Sequence, residues 1–113
     1  MPSDKSVCDY FTARLTPMGP VTGRSMFGGF GIFMDGLMFG LIAYDEIYFK
    51  VDDDNRSDYD AAGSRPFTYE GKSKPVEMSY RKIPEPVAED DATLIAWAEN
   101  AYNAARRAKK KKR

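Results

Sequence analysis

The chain has no histidine and a single cysteine among its 113 residues. Without histidine, neither a Ser-His-Asp nor a Cys-His triad can be assembled, and a histidine-containing zinc site is excluded. One cysteine cannot close an intramolecular disulfide, hold a zinc ribbon or bind an iron–sulfur cluster. Cys8 is therefore expected to be a small buried hydrophobe or a free thiol in a reducing cytosol. Long apolar runs are also missing. None approaches the roughly 18 residues that a membrane helix needs. The polar opening MPSDKSVCDYF does not read as a secretory signal. A cytoplasmic protein without membrane association is expected. Carboxylate, lysine and tyrosine chemistry stays open in principle. The carboxylates, however, are scattered over predicted outer faces, and no pair has a spacing suited to general acid–base work. No catalytic residue, metal or cofactor is expected.

What is present suits one globular domain. Hydrophobic residues make up 42% and charged residues 30% of the chain, enough to bury a core without staples. The zero net charge hides a division. Residues 106–113, RRAKKKKR, hold seven of the 17 basic residues and no acid, so the rest sets ten bases against 17 acids. An acidic body at 1–105 is thus followed by a basic tail at 106–113, expected to be frayed or disordered.

Spacing along the chain predicts a helix, three strands, a helix, two strands and a final helix. Ser3 can cap the first helix, with Asp4 favouring its positive end and Val7, Tyr10, Phe11 and Leu15 forming its apolar face. Pro17, Gly19 and Pro20 stop it. A long first strand then runs through Met34 to a two-residue Asp35-Gly36 turn, which favours a hairpin because both positions take positive φ. Leu37 to Ala43 returns, and Asp45-Glu46 connects to IYFKV at 47–51, where Ile47, Phe49 and Val51 share one side. DDDNRSDYDAAG reads as a short acidic helix ending at Gly63, with Tyr59 and Ala62 inward and Asp52, Asp53 and Asp54 as caps. A hairpin around Gly71 joins Phe67–Tyr69 to Val76–Ile83, with Val76, Met78 and Tyr80 inward and Glu77, Ser79 and Arg81 toward water. After Pro84 and Pro86, Leu94, Ile95, Ala98, Ala101, Tyr102 and Ala105 form the stripe of the last helix, with Trp97 at its edge.

RSMFGGFGIFMDGLMFG, residues 24–40, invites comparison with phosphate-binding loops. Gly29 and Gly31 begin a G-x-G-x-x-G pattern, but Met34 stands at the third position, and no lysine follows at the P-loop spacing. A strand and an Asp-Gly turn come next, so no helix N-terminus faces a phosphate. These glycines are better explained by bends and close packing. The hairpin is apolar on both sides. Phe27 and Phe33 fall on one face, and Phe30, Ile32 and Met34 on the other. On the returning strand, Leu37, Phe39 and Leu41 oppose Met38, Ile42 and Tyr44. Helices can cover one such face, and either the monomer or a partner the other. Phe27, Phe30, Ile32, Met34, Met38 and Ile42 are the candidate interface.

Taken in order, Arg24, MFGGFGIF at 26–33, Asp35-Gly36, Phe39-Gly40, IYFKVD at 47–52, Gly63, Pro66-Phe67, Met78, Tyr80 and Pro84 resemble the N-terminal domain of the TfoX/Sxy family. Its members are bacterial regulators associated with competence genes. The resemblance implies an α+β single domain, α-β3-α-β2-α, with antiparallel hairpins packed by helices and similar to secretion chaperones, which often pair through their sheets. Full-length members carry a second domain of helix-hairpin-helix character and cooperate with the cyclic-AMP receptor protein. This chain is expected to be a stand-alone N-terminal domain. The resemblance brings no catalytic residues with it.

These readings lead to a non-enzymatic regulatory or adaptor domain in transcriptional or competence-type regulation. It is expected to act by protein contact, as a homodimer or with a regulatory protein partner. The alternative is a nucleic-acid-associated protein. Its tail residues Arg106, Arg107, Lys109, Lys110, Lys111, Lys112 and Arg113 would contact phosphates or an acidic partner, with salt-sensitive affinity and no base specificity.

Overall fold

Three pairs of adjacent residues with positive φ divide the first half of the sheet. They are Phe27 (51°) with Gly28 (82°), Asp35 (51°) with Gly36 (79°), and Tyr44 (54°) with Asp45 (61°). Two successive positive φ values give the turn whose twist matches antiparallel strands. The computed structural model describes residues 2–70 and 73–111. In it β1 (Val21–Met26), β2 (Gly29–Met34), β3 (Leu37–Ala43) and β4 (Glu46–Lys50) follow one another through these turns. Asp35-Gly36 is the turn that the sequence predicts. The long first strand, by contrast, is two strands, because Phe27-Gly28 turns the chain back. The next connection uses Tyr44-Asp45 rather than Asp45-Glu46.

With β5 (Pro66–Glu70) and β6 (Pro75–Lys82), the sheet has six antiparallel strands in the order β1-β2-β3-β4-β6-β5. Five were expected. The expected turn around Gly71 lies outside the described residues. One irregularity decides which side chains face which way. Ile32 pairs with Gly40 but Phe33 pairs with Met38, so Phe39 is an extra residue on β3. Such a bulge shifts the alternation by one. Phe39 and Ile42, which simple alternation separates, therefore both enter the same core cluster. Gly40 allows the close approach there, since a Cβ would lie 3.0 Å from the Cβ of Ile32.

Four helices cover one side: α1 (Lys5–Arg14), α2 (Arg56–Ala61), α3 (Glu85–Glu89) and α4 (Asp91–Lys111). Asp4, not Ser3, caps α1 by accepting from the Ser6 N–H, while the Ser3 hydroxyl accepts from the Asp45 N–H. On α1 the buried side chain is Cys8, and Tyr10 points outward. α3 is an unpredicted short helix that starts after Pro84. Asn55 occupies the cap position of α2, so Asp52–Asp54 have a different role, described below. On α4, Leu94, Ala98, Ala101, Ala104 and Ala105 are buried, and the run of alanines lets the helix lie close to β3 and β4. The main core joins Leu94, Ala98, Ala101 and Ala105 to Leu15, Ile32, Phe39, Ile42, Phe49 and Tyr59. Each large side chain removed fully from water contributes about 1.5–3 kcal/mol.

Candidate functional site

Every helix packs on the same side of the sheet, so the opposite side is the place where a surface is left to do something. β1 presents Arg24 and Met26 there, β2 Phe33, β3 Met38, Leu41 and Ala43, β4 Tyr48, and β6 Met78 and Tyr80. Leu41, Ala43, Phe67 and Tyr80 are buried together, with Met38, Tyr48 and Met78 half-buried around them. Among the described residues, no helix contributes to this cluster. The sheet covers its own second face with side chains.

The packing is specific. The Tyr80 hydroxyl donates to the Met38 carbonyl oxygen at 3.3 Å, so the ring reaches from β6 across β4 to β3. Burial pushes that hydroxyl's pKa up to about 12. Tyr48 meets Phe67 edge to face at 5.0 Å. Burial, reinforced by the Glu46 carboxylate, also raises the Tyr48 hydroxyl above its ordinary range. Gly31 supplies the space at the other end of the face. A Cβ there would lie 2.8 Å from both Met26 Sδ and Phe33 Cε1, and 3.2 Å from Met38 Sδ. Two cations rim the apolar centre, the Arg24 guanidinium 4.9 Å from the Phe33 ring centroid and the Lys50 ammonium 5.4 Å from that of Tyr80. The result is a half-exposed strip of methionines and aromatics. Flexible, polarizable methionines suit surfaces that repack against a partner.

The structure distributes the six predicted interface residues over three places. Ile32 and Ile42 are completely buried and Met34 nearly so, all under the helices, with Phe30 packed against the same core. They belong to the interior because α1 and α4 cover the face they share, and the bulge at Phe39 brings Ile42 onto the same face as Phe39. Phe27 is 82% exposed at that turn. Met38 alone reaches the open face. Met26, Phe33, Tyr48 and Met78 were missed as its companions. They share the even-and-odd register that only the observed pairing reveals.

A groove of about 910 Å³ runs past one end of β4 and β6, where Ile47, Phe67, Ile83 and Ala88 meet Arg65, Lys82, Glu46 and Glu85. Lys82 and Glu46 neutralise each other at 2.8 Å across it. Among the described residues, no group of three or more potential metal ligands converges.

The basic end is ordered differently from the expectation of fraying. α4 continues as helix through Lys111, carrying residues 106–111 with it, while Lys112 and Arg113 lie outside the described residues. Arg106, Lys109, Lys110 and Lys111 are exposed. Arg107 is not available as they are. Its Nε and Nη2 donate to the two carboxylate oxygens of Asp52 at 2.6 and 3.0 Å, and Asp54 Oδ2 lies 3.4 Å from Nε. The Arg107 hydrogen bonds hold the Asp52 carboxyl below its ordinary range. This pairing, together with the Asp54 N–H that Asp52 accepts, is the role of the acidic loop.

None of the helices is long and apolar enough to cross a membrane among the described residues. No curated protein sequence matches the chain. The model of the TfoX N-terminal domain does match, over residues 13–105, which spans the whole sheet with its open face, α2, α3 and most of α4, but only the last two residues of α1. The chain belongs to the TfoX N-terminal domain family.

Proposed function

We propose that this domain is a non-enzymatic regulatory module that acts by protein contact in transcriptional or competence-type control, with the open sheet face as its contact surface. One observation carries the reading: all helices stack on one side, and the other side keeps Met26, Phe33, Met38 and Met78 half-exposed between cationic rims. Membership of a family of regulators supports the same conclusion. The test is complementation. Transcript profiles of a host lacking the chain are compared after restoring the wild type or Met38→Glu at equal protein level. Wild type restores the profile and Met38→Glu does not. Equal restoration by both removes the open face as the contact, and no transcript change on deletion removes the regulatory role.

A second reading rests on the four exposed cations along the last turns of α4. Nucleic-acid phosphates would be held there by charge, with affinity falling steeply as salt rises. Titration of duplex DNA and of RNA at two salt concentrations, with and without residues 108–113, decides it. Unchanged affinity after truncation sinks the anchor.

A further inference from the structure

The two ends of the sheet are unlike. β5 opens with Pro66, which lacks an N–H, and its pairing with β6 shifts register between Pro66 and Thr68. That edge is blunted. β1, at the other end, pairs with β2 in unbroken register from Val21 to Met26. It contains neither proline nor lysine, and Thr22, Gly23, Arg24 and Ser25 are all exposed. Proteins ordinarily guard such an edge with lysine, proline or a bulge, because its unpaired backbone groups recruit another strand. β1 has none of these three, and its one charged side chain, Arg24, lies over the Phe33 ring on the open face.

We infer that β1 pairs antiparallel with the β1 of a second copy, about a two-fold axis at Gly23, joining two six-stranded sheets into one. This names a partner for the protein-contact reading and rests on it only in assuming self-association. A two-fold axis perpendicular to a sheet keeps each face on its own side. Residues on the same face must therefore meet, which allows an axis at a residue and forbids one between residues. Two such centres use most of the six-residue strand. An axis at Arg24 sets one guanidinium against the other, which is unfavourable. An axis at Gly23 sets Thr22 against Arg24, and Val21 against Ser25, with no like charges opposed.

Gly23 also suits the axis for a second reason. A Cβ there would come 2.3 Å from Cys8 Sγ, so α1 already fills the helix side above it and nothing protrudes. On the other side the seam is Thr22 and Arg24 of each copy in alternation, with the Met26 of either copy at its outer ends, so the register is self-complementary for a second copy.

The register makes the test directional. Light scattering after size exclusion, across a micromolar concentration series, gives the dimer dissociation constant. Thr22→Lys places two ammonium groups opposite the two Arg24 side chains and weakens the dimer about tenfold. Thr22→Glu places carboxylates there and tightens it. Thr22→Lys with Arg24→Glu swaps the charges of the Thr22→Glu pair and reverses the weakening that Thr22→Lys causes alone. Far-UV circular dichroism confirms that each variant keeps the fold. A monomeric wild type overturns the edge pairing, as does a dimer that answers Thr22→Lys and Thr22→Glu alike. A dimer broken by Met38→Glu and indifferent to Thr22→Lys leaves the open-face reading standing and rejects this one. Loss of Thr22 dependence with intact regulation by the complementation test rejects only the edge.

Discussion

Single side chains illustrate how burial and pairing act separately. Tyr59 is 1% exposed, packs edge to face on Trp97 at 4.7 Å, and has a hydroxyl without a hydrogen-bond partner among the described residues. Removing only that oxygen leaves the ring's packing and takes away an unsatisfied polar atom. Tyr59→Phe is therefore expected to leave stability unchanged or raise it by up to about 1 kcal/mol, whereas Tyr59→Ala costs about 3–5 kcal/mol. Urea unfolding followed by the fluorescence of Trp97, the only tryptophan, measures both. Asp52 and Arg107 behave differently because solvent reaches them, with 23% and 37% of their side chains exposed. Asp52's pKa is lower folded than unfolded, so its stabilisation is full above the ordinary value of 3.8 and disappears as pH falls through the lowered value. Asp52→Asn is expected to cost at most about 1 kcal/mol at neutral pH, discounted for screening. The gap from wild type should close in acid, as stability curves at several pH values will show.

At the scale of elements, the glycines divide by mechanism. Gly36 has nothing within 4 Å of an added Cβ but sits at φ +79°, so Gly36→Ala is a backbone cost of about 1–2 kcal/mol. Gly40 has no such φ; its added Cβ meets Ile32, and Gly40→Ala costs about 1–3 kcal/mol through packing. Gly36→Asn, which tolerates positive φ, should recover part of the first loss, whereas Gly40→Asn still sets a Cβ against Ile32 and recovers none of the second. Thermal unfolding of the set separates the two causes. The same elements show where sequence reading reached its limit. Asp35-Gly36 announces its turn, because both residue types tolerate positive φ. Phe27-Gly28 and Tyr44-Asp45 do not, since an aromatic residue at φ near 50° is uncommon. The bulge at Phe39 is equally silent locally. It exists because Gly40 can lie against Ile32, two strands' worth of packing rather than a local preference.

For the molecule as a whole, the basic end has two parts. Arg107 ties α4 to the acidic loop after β4, and the lysines beyond it add charge without an ion pair to the body among the described residues. Deleting residues 108–113 removes five basic residues and is expected to leave the unfolding midpoint nearly unchanged. Deleting 106–113 also breaks the Arg107–Asp52 pair and should lower stability at neutral pH but not in acid. Urea titrations of both truncations check this, and any anion affinity should fall in both. The charge division read from the sequence is thus real, but its first basic residues are not equivalent. Arg107 lies one helical position from the exposed Arg106 and is spent on an intramolecular pair.

The sequence by itself determined much. The α+β class, the Asp35-Gly36 hairpin, the inward Ile47, Phe49 and Val51, and the burial along Leu94, Ala98, Ala101 and Ala105 follow from local residue types and spacing. These depend on periodicity and turn chemistry, which neighbouring residues carry. Only the tertiary structure decided that six strands replace five, that Ile32 and Ile42 lie under the helices, and that Tyr80 and Phe67 close over the second face. Those outcomes depend on strand register, and register is set by which side chains fit across strands far apart in the chain. It is also register that leaves β1 as an open edge.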